Sequence, residues 1–192
     1  ASDHHLMYGG TLSLRTQTFV ALLADLFSAL AAQGARRVVV VNGHGGNIAP
    51  IDTAAAQASV ETGLLIAHVD YWRLVTDFPV PTEPPGLERL DPVWTPGHAG
   101  RFETALVAAV VPGVAAPTDP RPDPPVTLTI PGAALHSTQV WRDIEGHSDD
   151  PSLASTIDGA AWLEVIADRL AGVVEQLADV AVPSRQNSEP RR

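Results

Sequence analysis

Residues 38–47 read Val38-Val39-Val40-Val41-Asn42-Gly43-His44-Gly45-Gly46-Asn47. Four β-branched residues in a row predict a strand buried on both faces of a sheet. The polar loop that follows sets one imidazole at the strand's carboxyl end, the side of an open α/β sheet on which ligands bind. Glycines let the backbone approach a bound group closely, which makes Gly45 and Gly46 candidate substrate contacts. Asn42 and Asn47 can brace the turn through side-chain hydrogen bonds. A histidine among glycines has nothing to pack against, so His44 reads as a functional group rather than a turn residue.

Working outward, Thr16 to Gly34 predicts a helix. Phe19, Leu22, Leu23, Leu26, Phe27 and Leu30 recur at three- and four-residue spacing as one core-facing stripe. Thr16 or Thr18 can cap its start and Gly34 can end it. Downstream, Ile48 to Thr62 predicts a second helix with Pro50 in its first turn, where a missing N–H is harmless. Leu64 to Val69 is the next strand. Strand, helix and strand with short connections imply a βαβ unit and a parallel sheet. Tyr71 and Trp72 again fall at a strand's carboxyl end, while His68 and Asp70 read as structural. The expected class is therefore α/β, a three-layer, mostly parallel sheet flanked by helices.

Further along, residues 78–96 are dense in proline and predict an irregular lid or binding loop that carries Trp94. Gly97-His98-Ala99-Gly100-Arg101-Phe102-Glu103 then runs into a helix that begins near Gly100. This puts Glu103 in the first turn, where the helix dipole favours a charged carboxylate. Val107 to Val111 completes an apolar helix face, residues 126–130 alternate as a strand, and residues 141–150 form a polar loop. A final helix covers residues 157–180, with Trp162, Val165, Ile166, Leu170, Val173, Val174 and Leu177 as its stripe. One domain is expected over residues 1–183, and 184–192 as a disordered tail.

Composition narrows the function. The chain has 192 residues, a formal net charge of −10 and no cysteine. Acidity argues against binding a phosphate backbone, which needs clustered Lys and Arg. Without cysteine, neither disulfides nor thiolate metal sites exist. No apolar run approaches the roughly 20 residues of a membrane span, and the start shows no signal-peptide pattern, so the expected compartment is the cytoplasm.

The loop over Asn42–Asn47 resembles the N-G-H-G-G-N signature of the creatininase (creatinine amidohydrolase) family. Three other segments carry the same resemblance. Ser2, His5 and Gly10-Thr11-Leu12-Ser13-Leu14 are similar to a family S-x-x-H segment followed by G-T-L-S-L. His98, Gly100, Glu103 and Thr104 are similar to the second signature, H-A/G-G-x-x-E-T-S, with Ala105 in place of serine and Trp94 four residues before the histidine. Gly146–Ala154 resembles a G-x-x-G-D-P-S-x-A segment, with Asp149 where glycine is usual, and Gly159 matches as well. Residues 1–180 thus resemble the later part of a family member.

The resemblance implies a binuclear zinc or manganese centre, cleavage of a C–N bond in a linear or cyclic amide such as creatinine, and a closed homo-oligomer, often a hexamer. His44 and Glu103 have the donor types such metals take, imidazole nitrogen and carboxylate oxygen. His98 is the expected general acid or base, because its free pKa lies near neutrality. Tyr71, Trp72 and Trp94 are expected substrate contacts, with the two tryptophans closing on a flat ring, and His5 is expected near the site entrance. Two departures qualify this. The family's E-x-H and G-T-D ligand segments have no counterpart here, their place being upstream of Ala1. Creatininase also holds a glutamate where this chain has Gly46, which shifts the carboxylate role to Glu103. The readings that follow are an amidohydrolase, a peptidase or deformylase of the same family, and a non-catalytic remnant with a structural or oligomer role.

Overall fold

The computed structural model describes residues 1–76, 97–111, 113, 119–121 and 136–182. Trp94, the proline-rich stretch, the strand expected over 126–130 and the tail expected over 184–192 lie outside the described residues. Two compact units divide the chain: Ala1–Arg73 with Arg169–Arg192, and Leu74–Asp168.

The first unit is built on a parallel pair of strands, β1 (Arg37–Asn42) and β2 (Leu65–Asp70), joined through α2 (Ile48–Thr62) and preceded by α1 (Thr16–Ala32). Val38 and Val40 of β1, with Ile66 of β2, pack on a core of Leu23, Phe27 and Ala31 from α1 and Ile51, Ala54 and Ala58 from α2. Alternation along the strands sends this set to one face, and the alanines let helix and sheet approach closely. α1 ends where glycine was expected to end it: Gly34 follows with a φ of 92°, a left-handed angle that other residues rarely adopt. Arg15 stands at the start of α1 without a side-chain cap, so neither Thr16 nor Thr18 caps it. α2 has the expected bounds, with Pro50 buried in its first turn.

The expected burial of the α1 stripe is only half realised. Leu23 and Phe27 are buried, whereas Leu22, Leu26 and Leu30 are exposed. Helical spacing gives the direction of a stripe but not how wide a surface covers it. Val41 is likewise exposed, so among the described residues β1 is not buried on both faces.

The second unit holds α4 (Arg101–Val110), α5 (Thr138–Asp143) and the first part of α6 (Gly159–Asp179), with α3 (Arg73–Thr76) straddling its start. Phe102 and Trp162 are both 0% exposed and meet edge to face, with ring centroids 5.8 Å apart. Val107, Val110 and Val111 are exposed, so the expected apolar face ends with Phe102, Ala105 and Leu106. The polar loop expected over 141–150 begins as helix, because Ser137 caps α5 by accepting from the Gln139 amide. No described helix is long and apolar enough to cross a membrane.

Gly159 lies against the Ala105 carbonyl so tightly that a Cβ there would overlap main-chain atoms of α4. Gly159→Ala is expected to destabilise the protein by about 1–3 kcal/mol, the usual cost of overpacking. Urea unfolding checks this, and a stability equal to the parent chain's would show that the two segments part without cost.

Candidate active site

At the carboxyl end of the strand pair, buried polar groups hold the His44 loop. Asn42 and Asp70 stand opposite each other in the strand register, and Asn42 Nδ2 donates to Asp70 Oδ1 at 2.7 Å. Asn42 Oδ1 accepts the His44 amide at 3.0 Å. His68 continues the series, with Nε2 3.0 Å from Asp70 Oδ1 and Nδ1 2.7 Å from Asp52 Oδ1. His68 and Asp70 therefore act as structure, and what they fix is the backbone that presents His44.

The first residues of the chain fold onto the same loop. Asp3–His5 forms a 3-10 turn. Ser13 Oγ clamps it, accepting from the Ser2 amide at 2.7 Å and donating to Asp3 Oδ1 at 2.7 Å. The result is a cluster of three half-buried imidazoles, His4, His5 and His44, whose nitrogens lie within 4.8 Å of one another. His4 stacks on His44 with centroids 5.4 Å apart, and His5 lies 5.4 Å from His44. A Cβ at Gly46 would stand 2.7 Å from His44 Nε2 and 2.8 Å from His4 Cε1. Its nearest neighbour would be the Ala1 carbonyl oxygen, so Gly46 leaves room for the Ala1 backbone as well as for the two rings. Gly45 begins the 3-10 turn Gly45–Asn47 that leads into α2. Tyr71 and Trp72 follow β2 at this same end, half-buried and edge to face at 5.3 Å. His4 had no assigned role in the sequence reading; the adjacent pair His4-His5 was the available signal.

In the second unit His98 and Glu103 share the entry to α4. Ala99 takes a φ of 49°, unusual for a residue with a side chain, and its amide donates to Glu103 Oε2 at 2.5 Å. Glu103 therefore braces the turn that carries His98. Ser148 grips His98 from both sides: its Oγ accepts the His98 amide at 2.6 Å, and its own amide donates to the His98 carbonyl at 2.8 Å. Trp141 meets the His98 ring edge to face at 5.1 Å. Asp149 completes the support, accepting from Arg101 Nε at 2.8 Å and from the Arg101 amide at 3.1 Å. Its carboxylate fills the space a side chain at Gly100 would take. Ser148, Asp149 and Trp141 were missed as positioning residues, although the run Gly146-His147-Ser148-Asp149-Asp150 marks a polar segment that burial would force to find partners.

Burial holds the His98 pKa below its usual 6.5, against the opposing pull of the Glu103 carboxylate, so the ring is neutral at pH 7. In metal-free protein a ring-proton NMR titration is expected to give a midpoint below 6.5, and Glu103→Gln should lower it further by removing the attractive charge. The sign follows for stability. Between the lowered folded value and 6.5 the native state binds fewer protons than the unfolded chain, so stability falls as pH drops through that window. A midpoint at or above 6.5 would refute burial as the controlling influence.

The profile of the creatininase family (creatinine amidohydrolase) matches residues 1–174. The chain belongs to the creatininase family. Creatinine amidohydrolase of Pseudomonas putida is 32% identical over 116 residues, covering 55% of this chain and 42% of that protein. The mycofactocin precursor peptide peptidase of Mycobacterium tuberculosis is 39% identical over 61 residues, 32% of this chain and 24% of that one. These matches span less than half the length of either relative. Among solved structures, a glutamate-to-glutamine mutant of creatininase complexed with creatine superposes with a TM-score of 0.71 at 25% identity, covering 90% of this chain and 69% of that one. A Zn-Zn form of that mutant gives 0.64 at 25% identity, over 88% and 67%. The α/β class expected from the valine run and its flanking helices is thus the creatininase fold.

Proposed function

We propose that this chain carries the catalytic part of a metal-dependent amidohydrolase that cleaves a C–N bond of a small linear or cyclic amide, with creatinine and similar rings the first substrates to examine. The observation that carries the reading is the convergence of imidazoles around His44 at the carboxyl end of the parallel strands. Neutral imidazole suits zinc well, and carboxylates suit manganese, so the donors fit the metals expected for the family. His44 is assigned as a nitrogen ligand and Glu103 as a carboxylate ligand. A bound divalent cation lowers the pKa of its water to about 7 and polarises a carbonyl.

The chain's own residues do the rest. His98, neutral at pH 7, accepts the proton released as water attacks the carbonyl carbon and returns it to the leaving nitrogen. Ser148 and Glu103 hold the turn that aims His98. Tyr71 and Trp72 offer aromatic surface to a flat substrate, with Trp94 assigned the same role, the Gly45–Gly46 backbone as a further contact, and His5 beside His44 at the site.

A second reading, hydrolysis of a modified peptide, is favoured by Gly46. The glutamate expected there in creatininase is absent from this chain, and the peptidase is the more identical relative over its shorter match. The decisive experiment assays the 192-residue chain, loaded with zinc or manganese, against creatinine, other small amides and short amidated peptides. Small-amide cleavage that disappears in His44→Ala is the expected result. Cleavage of peptides alone selects the second reading. No turnover of any amide by the loaded chain would leave the non-catalytic role.

A further inference from the structure

We propose that His4, His5 and His44 together bind one divalent metal ion as a three-imidazole site. The proposal deepens the functional reading by naming the nitrogen ligands, and it is tested by the metal alone.

Three features of the structure converge on it. The first is proximity. Nitrogens each about 2.0–2.1 Å from zinc in tetrahedral geometry sit roughly 3.3–3.5 Å apart. The observed 4.8 Å envelope of the three rings closes on such an ion with small side-chain rotations. The second is preorganisation. His4 and His5 ride on a 3-10 turn whose ends are tied by the His5 amide to the Ser2 carbonyl at 2.8 Å and by the Ser13 clamp. His44 is held from the other side through Asn42 and Asp70. The ligand entropy lost on binding is therefore largely lost already on folding. The third is space. At Gly46 a Cβ would overlap the Ala1 carbonyl oxygen first and then crowd His44 Nε2 and His4 Cε1, so the missing side chain is what lets the first residues and the rings close this tightly on the loop.

The chemistry is that of an open zinc site. Three neutral nitrogens leave the ion its full positive charge and a fourth position for water or a substrate oxygen. The Ser2 hydroxyl, 3.0 Å from His44 Nε2, exchanges its hydrogen bond for metal coordination at that nitrogen or remains beside an ion bound through Nδ1. His4 matters most to the proposal, because a two-histidine site would not need the adjacent pair.

The test is cobalt(II) titration of the full 192-residue chain, followed by visible absorption and by ring-proton NMR, with zinc as competitor. One cobalt per chain with the intense bands of a four-coordinate ion is expected, together with paramagnetic broadening of all three ring signals. His4→Ala and His5→Ala should each weaken binding more than about 100-fold, beyond the roughly 10–100-fold that loss of an outer partner costs. His44→Ala should abolish binding. His136→Ala, an exposed histidine outside the cluster, should bind like the parent chain, and circular dichroism confirms that each variant folds. The conservative variants His4→Gln and His5→Gln guard against loss of packing, and both should bind as poorly as alanine. Unchanged binding in the His4 and His5 variants overturns the triad and leaves the amidohydrolase reading standing. Absence of cobalt uptake by the parent chain overturns the triad outright. Triad-dependent binding without amide turnover upholds the triad and removes the hydrolase reading.

Discussion

Trp162→Ala is expected to lower the free energy of unfolding by about 3–5 kcal/mol, the range for deleting a large buried aromatic. The indole is fully buried, meets Phe102 edge to face, and lies less than one turn beyond Gly159, which itself seats α6 against Ala105. No part of this pocket collapses easily, because the Gly159 backbone already touches α4. Set beside a typical total of about 5–15 kcal/mol, the loss would leave the protein marginal at 37 °C. Trp162→Phe offers a sharper comparison. Trp162 Nε1 has no hydrogen-bond partner among the described residues, so phenylalanine loses volume but also removes a buried N–H that water had to relinquish. It should therefore cost markedly less than alanine. Urea titrations of the three chains decide the matter: equal losses for both variants would mean that the N–H is in fact well satisfied.

His98→Ala is expected to reduce kcat by about 10²–10⁴-fold, the usual contribution of a positioned proton-transfer group, with metal content unchanged. The imidazole is neutral because burial outweighs the attraction of Glu103, so it begins as an acceptor and becomes a donor only after it has taken a proton. Activity should accordingly fall at acid pH, where the ring starts the cycle already protonated. Parallel assays of kcat, KM and bound zinc separate the possibilities. Lost metal would make His98 a ligand, and undiminished turnover would remove it from the reaction. Ser148→Ala supplies a companion result: it leaves the imidazole in place but frees the His98 amide, so it should lower kcat by less than His98→Ala does.

The framework was legible because it is written in local patterns. Val38–Val41 reads as a strand, Gly34 ends the preceding helix at an angle glycine adopts cheaply, and Pro50 falls in the first turn of α2, where its missing N–H is harmless. The placement of Glu103 in the first turn of α4 was legible for the same reason. What escaped was whatever depends on distant partners. Leu22, Leu26 and Leu30 have the spacing of Leu23 and Phe27, and only the surface laid against α1 tells them apart. The support of His98 by Ser148 and Asp149 joins residues about 50 positions apart, and no periodicity announces such a pairing. His4 lies 40 positions before His44 in sequence, yet the fold brings its ring onto that of His44. Each of these depends on tertiary placement, which overrides local propensity.

Asn42 and Asp70 face each other as the last register pair of the two strands. A slip of one residue would set Asp70 against Val41 and strand a buried carboxylate without its amide partner, at a cost of about 1–3 kcal/mol or more. Valines 38–41 are nearly interchangeable and would tolerate such a slip. The polar pair thus works as an alignment pin for the sheet: mispaired strands are rejected at their tips, and the pairing that survives is the one in which Asn42 holds the His44 amide.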